Sequence, residues 1–389
     1  MSEWHEISLG NLVDTVVDNR GKTPPISKIG HELLEVNAIS HGNRTPDYSK
    51  IRKFVSEETY RNWFRKGHPQ PGDILVPTGN VALVEERRGT IAQNLIALRL
   101  KIGVDSRYVY YFLSSPLGKD LMLSLDIGGV QPSIKVPHLL DMTIPIPPLA
   151  EQKAIASVLS SLDDKIDLLH CQNKTLEAMA ETLFRQWFVE EAQEDWKEVT
   201  IGDFVELNRA SIDKNYPYQA IEYLDTGSLT EGKIESFQSF ALDDAPSRAK
   251  RLVQHNDVLI STVRPDQKHY GIIKNPIENL VVSTGFCVLT CKKIDPHFIY
   301  LLLTNDEMTD YLHTIAEGST STYPSLKPSD IGSIVFQLPP CGKLEEFSFI
   351  TQSSWEKIEK NHIQIRTLET LRDTLLSKLM SGEVRVDYA

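Results

Sequence analysis

The chain has 389 residues, of which 41% are hydrophobic and 24% are charged, and its net charge is −12. This length favours two or three domains, and the composition excludes a disordered or fibrous protein. Four cysteines are too few for a disulfide framework, no apolar run reaches the roughly 20 residues of a membrane helix, and the start lacks the features of a signal peptide. We therefore expect a cytoplasmic protein.

The first element in the chain is also the start of an internal repeat. Residues 4–13 and 196–205 share the pattern Trp-x-Glu-x-x-x-Gly-x-x-Val at an offset of 192. Further matches join these pairs of segments: 71–76 with 255–260, 105–113 with 295–303, 132–135 with 324–327, and 147–148 with 339–340. Repetition along the chain indicates that one structural unit is built twice.

The matched segments predict a shared scaffold. Residues 71–76 and 255–260 are short β-type runs after a turn, and Asp105 and Asp295 are candidate caps of helices that follow them. The stretches between the matches differ in sequence and slightly in length, as two different recognition surfaces on one scaffold would require. The alternative is an old duplication that drifted without functional meaning.

A long helix is predicted after Pro147-Pro148, because no further proline or glycine occurs until about Glu191. Its apolar residues alternate at spacings of three and four, with Asn173 as the polar member: Ile155, Leu159, Leu162, Ile166, Leu169, Leu176, Ala180, Leu183 and Trp187. This spacing is typical of a coiled-coil seam, which would rise about 48 Å from 155 to 187. Asp163-Asp164 is interpreted as part of a solvated face.

The same pattern returns 192 residues later and ends at Gly382, a natural helix stop. Its seam consists of Thr351, Ser354, Ile358, Asn361, Ile365, Leu368, Arg372, Leu375 and Leu379. A two-fold relation between the copies would make the two helices antiparallel. Placing Asn173 opposite Asn361 then sets a register in which paired residue numbers sum to 534. The alternative is two ordinary long core helices.

The predicted fold class is α/β (α+β): two copies of a mixed domain, related by a pseudo-two-fold internal repeat and separated by two long helices that form an antiparallel coiled coil. We place the two domains at residues 1–147 and 193–339. The central spacer helix is expected at 148–192 and the C-terminal spacer helix at 340–389.

One motif carries a family resemblance. Pro147-Pro148-Leu149-Ala150-Glu151-Gln152 resembles the start of the central spacer in the specificity subunits of type I restriction-modification enzymes. The segments 128–134 and 375–382 are similar to that family's domain ending and closing helix, and with the repeat the resemblance covers essentially the whole chain. The second copy departs from the pattern at 319–322 and 341–343, which weakens residue-level transfer there.

This resemblance implies a non-catalytic subunit with two target-recognition domains, each reading one half of a bipartite site in double-stranded DNA. The helices would set the spacing and dock two modification (methylase) subunits, with restriction/translocase subunits added. S-adenosylmethionine, ATP and magnesium are expected on those partners, and no cofactor or metal on this chain. The sequence contains no methylase tetrad, phosphate-binding loop or zinc-protease motif, in agreement with that division of labour.

Base reading needs Arg, Lys, Asn, Gln, Ser or Thr on loops. The candidates in the first domain are Arg20, Lys22, Thr78, Gly79, Asn80, Arg87, Arg88, Gln131, Ser133 and Lys135. The candidates in the second domain are Thr262, Arg264, Lys268, Ser321, Tyr323 and Lys327. For each of them the alternative is an ordinary solvated loop residue.

The charge distribution limits what these loops can do alone. Residues 1–150 carry 17 basic and 16 acidic side chains, and residues 196–340 carry 13 and 19, so neither copy is basic overall. We therefore expect local DNA-binding patches, with much of the affinity coming from partner subunits.

Three other functions stay open from the sequence. A target-recognition subunit of a type IIB-like restriction-modification system would use the same architecture. A coiled-coil adaptor with two protein-binding domains and an unrecognised enzyme are the alternatives from other classes. Copurification with a methylase and salt-sensitive duplex binding would separate the DNA-reading subunits from both.

Overall fold

The computed structural model describes residues 4–19, 21, 23–39, 43–77, 80–125, 134–319 and 324–387. The chain divides into two compact units, Met1–His170 with His362–Ala389, and Cys171–Asn361. Each unit therefore combines one copy of the repeat with part of each long helix, whereas the domains predicted from sequence follow the order of the chain. No helix in the described ranges combines the length and the apolar character needed to cross a lipid bilayer.

The first copy of the repeat contains strands and short helices, and the first long helix follows it. Its strands are β1 (His5–Ser8), β2 (Val13–Asp18), β3 (His31–Leu34), β4 (Phe54–Val55), β5 (Ile74–Val76), β6 (Ala82–Leu83), β7 (Thr90–Ile91), β8 (Ile96–Leu100) and β9 (Thr143–Ile146). The helices are α1 (Leu9–Leu12), α2 (Glu57–Asn62), α3 (Ser106–Ser114), α4 (Pro116–Ser124), α5 (Val136–Asp141) and the long α6 (Leu149–Arg185). A π-helical turn, Gln186–Glu190, continues α6.

The second copy and the second long helix follow the same plan. Its strands are β10 (Lys197–Thr200), β11 (Val205–Leu207), β12 (Ala220–Leu224), β13 (Leu229–Thr230), β14 (Lys233–Ile234), β15 (Gln238–Ala241), β16 (Ala249–Leu252), β17 (Val258–Ser261), β18 (Tyr270–Ile272), β19 (Leu280–Ser283), β20 (Phe286–Cys291) and β21 (Val335–Leu338). The helices are α7 (Pro296–Thr304), α8 (Asp306–Glu317), α9 (Pro328–Gly332) and the long α10 (Cys341–Met380).

The central sheets have equivalent strand orders in the two copies, while a further sheet has the order β4-β3-β7 in the first copy and β15-β12-β19-β16 in the second. The central antiparallel sheet runs β2-β8-β5-β6 in the first copy and β11-β20-β17-β18 in the second. In each copy the first strand pairs with the last, β1 with β9 and β10 with β21, and a further sheet contains one parallel pair, β3 with β7 and β12 with β19. The predicted duplication of a mixed α/β scaffold is confirmed.

Each domain core lies between its central sheet and the helix that follows it. Strand β5 is buried along its whole length, which explains why its sequence is an uninterrupted apolar run. Tyr108 and Phe112 of α3 pack in the same cluster as Ile74 and Leu98 of the sheet. The helix is therefore held by burial of its large aromatic side chains.

The predicted aspartate caps are present at the start of α3 and α7. The Asp105 carboxylate accepts the backbone N–H of Tyr108 at 3.0 Å, and Asp295 accepts that of Phe298 at 3.3 Å. Both bonds satisfy N–H groups that the first helical turn cannot pair internally.

In the first unit the two long helices pack through the predicted seam. Ile166 and Leu169 of α6 and Ile365 of α10 are buried in one cluster, with Leu368 packed against it. These are the residues that the register with sums of 534 brings together. Gly382, with a φ of +73°, follows α10 and ends it as expected.

In the second unit the same helices meet at two buried amides. Asn361 donates from Nδ2 to Oδ1 of Asn173 at 2.7 Å, and also to Oε1 of Gln172 at 2.9 Å. Asn173 is 5% exposed and Asn361 is fully buried. The pairing agrees with the register proposed from the sequence.

Asp163 corrects one prediction from the sequence. Instead of lying on a solvated face it is 7% exposed, accepts the Tyr111 hydroxyl at 2.6 Å and forms an ion pair with Arg372 at 3.0 Å. The sequence placed Arg372 in the seam but gave no sign of its partner. A buried carboxylate is tolerated here because both a cation and a hydroxyl compensate it.

We expect Ile365→Ala to lower the free energy of unfolding by about 2–5 kcal/mol, since it removes buried methylenes and leaves a cavity between the helices. Urea denaturation followed by circular dichroism measures the change. Ile363→Ala is the matched control, because Ile363 lies on the same helix but is 49% exposed. Equal effects of the two substitutions would contradict the assignment of Ile365 to the seam.

Candidate nucleic-acid interface

Two candidate loops of the second domain lie side by side. The loop after β17 and the segment before α9 are joined by a bridge between Val263 and Ser325. The N–H of Leu326 donates to the carbonyl of Thr262 at 2.7 Å, and that of Arg264 donates to the carbonyl of Pro324 at 3.1 Å. The structure therefore brings predicted residues from 262–268 and from 327 into one region, although about 60 residues separate them in sequence.

The backbone around Arg264 adopts an unusual conformation. Arg264 has a φ of 49° and Lys268 a φ of 55°, and the 3-10 turn Pro265–Gln267 lies between them. Left-handed residues other than glycine are uncommon and concentrate at functional sites. The side chain of Arg264, the residue before this turn, is exposed. Its planar guanidinium can donate two parallel hydrogen bonds to one acceptor pair.

Thr262 has a structural role in this loop. Its side chain is buried, and its hydroxyl donates to the carbonyl of Gly285 at 2.8 Å. The hydroxyl that the sequence offers as a contact is therefore already bonded inside the domain, where it fixes the start of the loop.

Lys268 is held by carboxylates. Its ammonium lies 3.0 Å from Asp306 and 3.7 Å from Glu231. The hydrogen bond to Asp306 raises the pKa of Lys268, so the side chain stays charged. Any phosphate at this position would compete with two acidic side chains, which disfavours Lys268 as a contact of this region.

Helix α6 adds negative charge near this lysine, because the charge of Lys268 also acts on Glu181. Burial raises the pKa of Glu177 to about 7, and the nearby carboxylates of Glu181 and Glu231 add to the shift. The excess of acidic residues counted in the sequence is therefore found in the second unit as a local group of carboxylates. Lys327, in contrast, is exposed at the start of α9, where its N–H donates to Asp330 at 2.7 Å.

In the first domain, Arg88 and Arg87 occupy different surroundings. Arg88 pairs with Glu32 at 2.8 Å and Glu86 at 3.4 Å, and its guanidinium lies 4.2 Å from the centre of the Tyr48 ring. Its ion pairs and the Tyr48 ring therefore hold Arg88 against the surface of the fold. Arg87 is exposed, and its positive charge acts on the nearby rings of Tyr60 and His68. Burial is the main cause of the pKa shift of each ring.

Tyr60 and His68 belong to an aromatic stack, with His31, that sequence reasoning missed. His31 and Tyr60 stack at 3.8 Å, and Tyr60 and His68 stack at 3.7 Å with only 5° between the rings. Burial lowers the pKa of His68, which favours its neutral form. The three residues come from separate segments, so no local motif could have announced them.

The remaining candidates of both domains are placed as follows. Asn80 is half-buried just before β6, and Lys135 is exposed at the start of α5. The other candidates lie outside the described residues: Arg20, Lys22, Thr78, Gly79, Gln131, Ser133, Ser321 and Tyr323.

The described ranges contain no group of three His, Cys, Asp or Glu side chains arranged to hold a metal ion. Cys287 and Cys291 are four positions apart on β20, where Cys287 is buried and Cys291 is half-buried. Burial raises the pKa of each thiol to about 12, which opposes formation of the thiolate that metal binding requires.

Comparisons with known proteins agree on one family. The protein-family model described as "Type I restriction modification DNA specificity domain" matches residues 1–178 and again residues 193–370. The type I restriction enzyme MjaIX specificity subunit of Methanocaldococcus jannaschii is 26% identical, over 87% of this chain and 83% of its own length. The HindI specificity subunit of Haemophilus influenzae is 30% identical, over 46% of this chain and 40% of its own length.

A solved structure shares the fold. The type I restriction-modification S subunit from M. genitalium superposes with a TM-score of 0.55 at 17% identity, covering 99% of this chain and 97% of that one.

We expect Thr262→Val to lower the free energy of unfolding by about 1 kcal/mol, because one buried hydrogen bond is lost without a change in volume. Chemical denaturation measures the effect. The matched control is Thr314→Val, since Thr314 is exposed on α8. A Thr262→Val protein of unchanged stability would contradict the structural role of this hydroxyl.

Proposed function

Since the chain belongs to the type I restriction-modification DNA specificity family, we propose that it is the sequence-specificity subunit of a type I complex. Each domain reads one half of a bipartite site in double-stranded DNA, and the two long helices set the spacing between half-sites. The observation that carries this proposal is a pair of domains whose central sheets share one strand order, which one family model matches twice, and whose loops differ in sequence.

Different loops on a common scaffold support the reading of different bases. The second domain offers the exposed Arg264 at a left-handed turn beside the segment that leads to Lys327. The first domain offers Arg87 beside the aromatic stack. An arginine that donates two bonds to guanine is the commonest specific contact in the major groove. Rings and loop polar groups supply further contacts.

The chemistry belongs to partner subunits in this proposal. Two modification subunits carry S-adenosylmethionine and methylate adenine, and restriction subunits add magnesium- and ATP-dependent translocation and cleavage, all in the cytoplasm. The net charge of −12 and the carboxylates around Lys268 and Arg88 support a reader that holds DNA firmly only within the complex. The chain itself contributes recognition and no catalytic group.

The first test of this function is the methylation pattern. In a host that expresses the chain with its cognate modification subunits, we expect methylated adenines in one bipartite motif, with two unequal half-sites and a fixed gap. Genome-wide mapping of methylated bases measures this. A continuous motif, or two identical half-sites, would contradict two different reading domains on one spacer.

The second test concerns one residue. We expect Arg264→Ala to relax the choice of base at one position of one half-site by about 1–3 kcal/mol, and to leave the other half-site unchanged. Competition binding with substituted duplexes measures the preference. Lys292→Ala is the control, because Lys292 follows β20 at the opposite end of the same sheet. If both variants kept the parental preferences, Arg264 would be removed from the site.

A further inference from the structure

The polar pairs of the long helices break the symmetry of the repeat. Four polar pairs, formed by residues on these helices or just beyond their ends, join residues far apart in the chain, and each lies within one compact unit: Glu151 with Arg385, Asp163 with Arg372, Asn173 with Asn361, and Glu191 with Lys343. In every pair one member comes from residues 1–192, the N-terminal half, and the other from residues 193–389, the C-terminal half. In an assembly of two identical halves, each member would face a different residue.

The offset of 192 identifies those residues, because α6 and α10 start at residues that differ by that number. Asn173 corresponds to Ile365 in the second copy, and Asn361 corresponds to Leu169 in the first. Two N-terminal halves paired in the observed register would therefore place Asn173 against Leu169. Two C-terminal halves would place Asn361 against Ile365. Both buried amides would lose the partner that they have now.

The ion pair between Asp163 and Arg372 would also be lost in such an assembly. Arg372 corresponds to Ala180, and Asp163 corresponds to Trp355. An assembly of two identical halves would leave Asp163 facing an alanine or Arg372 facing a tryptophan. Both side chains are largely buried, and each would lose its opposite charge across the interface, leaving Asp163 with the Tyr111 hydroxyl and Arg372 with the neighbouring Asp373.

The charges are inverted at the ends of the helices. Glu151 is fully buried, accepts two hydrogen bonds from Arg385 and one from the indole N–H of Trp4 at 3.3 Å. Its counterpart Lys343 lies 5.4 Å from the Trp196 ring and 3.7 Å from Glu191. The tryptophan is kept in both copies while the charge beside it changes sign.

Inversion of charge has a direct consequence for identical halves. In a pair of N-terminal halves, Glu191 would meet Glu151 instead of Lys343. In a pair of C-terminal halves, Arg385 would meet Lys343 instead of Glu151. Like charges would face each other beside Trp4 in the first case and beside Trp196 in the second.

We propose that these four pairs form a pairing code that makes the helix interface heterotypic: an N-terminal half accepts a C-terminal half as its partner and rejects a second copy of itself. Such a code ensures that every assembly carries one domain of each kind. The Asn pair favours this interpretation over a stabilising role, because Nδ2 of Asn173 and Oδ1 of Asn361 have no hydrogen-bond partner in the described part of the chain. Polar seam residues of this kind fix register and partner at a cost in stability.

The test starts from the full chain. A protease site inserted after Ala192, in the exposed segment 192–195, leaves Glu191 in place and allows the folded protein to be cut between its halves. Two batches, with different epitopes on the N-terminal half, are cut, mixed, unfolded in urea and refolded together. Capture of one epitope is followed by quantification of C-terminal halves and of N-terminal halves with the other epitope.

We expect heterotypic pairs to exceed pairs of N-terminal halves by roughly 100-fold or more, since one buried amide without its partner lowers an equilibrium constant by about tenfold or more. The variant Asn173→Leu/Glu151→Lys should raise the homotypic share at least tenfold, because the leucine introduced in place of Asn173 would then face Leu169 and the new lysine would face Glu191. Lys174→Leu, at an exposed position of the same helix, should leave the share unchanged. Random pairing of the unaltered halves would overturn the proposal.

A second measurement decides the matter if the cut halves do not refold. In the uncut chain, Asn173→Leu should lower the free energy of unfolding more than the double variant Asn173→Leu/Asn361→Leu does. Glu151→Lys should likewise be rescued by Arg385→Glu. Additive effects in both cycles would show that the pairs do not recognise each other, which would overturn the proposal.

Discussion

The structure depends on the packing of two long helices that a whole domain separates in sequence. Ile166, Leu169 and Ile365 bury one cluster in the first unit, and the two seam asparagines meet in the second. The core of the first domain also includes Leu376, Leu379 and Met380 from the last helix, together with Leu9 from the start of the chain. Neither unit is complete without segments from both halves of the chain, so loss of the helix packing would expose the domain cores as well.

The same arrangement separates recognition from assembly. The exposed loop residues, such as Arg264 and Arg87, can vary without touching the seam, because they lie at the ends of strands whose order is fixed. The seam residues are buried and hold specific partners, so they are constrained by the opposite half of the chain. A duplicated scaffold can thus acquire two different DNA-reading surfaces while the helices keep one register.

The acidic character of the chain also becomes intelligible at the level of residues. Lys268 is shared between Asp306 and Glu231, and Arg88 between Glu32 and Glu86, so several of its cations are already neutralised within their own domain. A reader of this kind gains specificity from a few exposed groups. In the proposed complex, we expect the partner subunits to supply much of the affinity for the phosphate backbone.

The sequence by itself determined the duplication, the strands Ile74–Val76 and Val258–Ser261, the aspartate caps, both long helices and their register. The strands, caps and helices depend on residues close in the chain, which local physics governs, whereas the register was inferred from the seam periodicity and the two-fold relation between the copies. Only the tertiary structure decided that Asp163 is buried against Arg372, that Thr262 is bonded inside the domain, and that His31, Tyr60 and His68 form a stack. Those outcomes depend on which side chains distant in sequence come within a few ångströms of each other, and no local pattern encodes that.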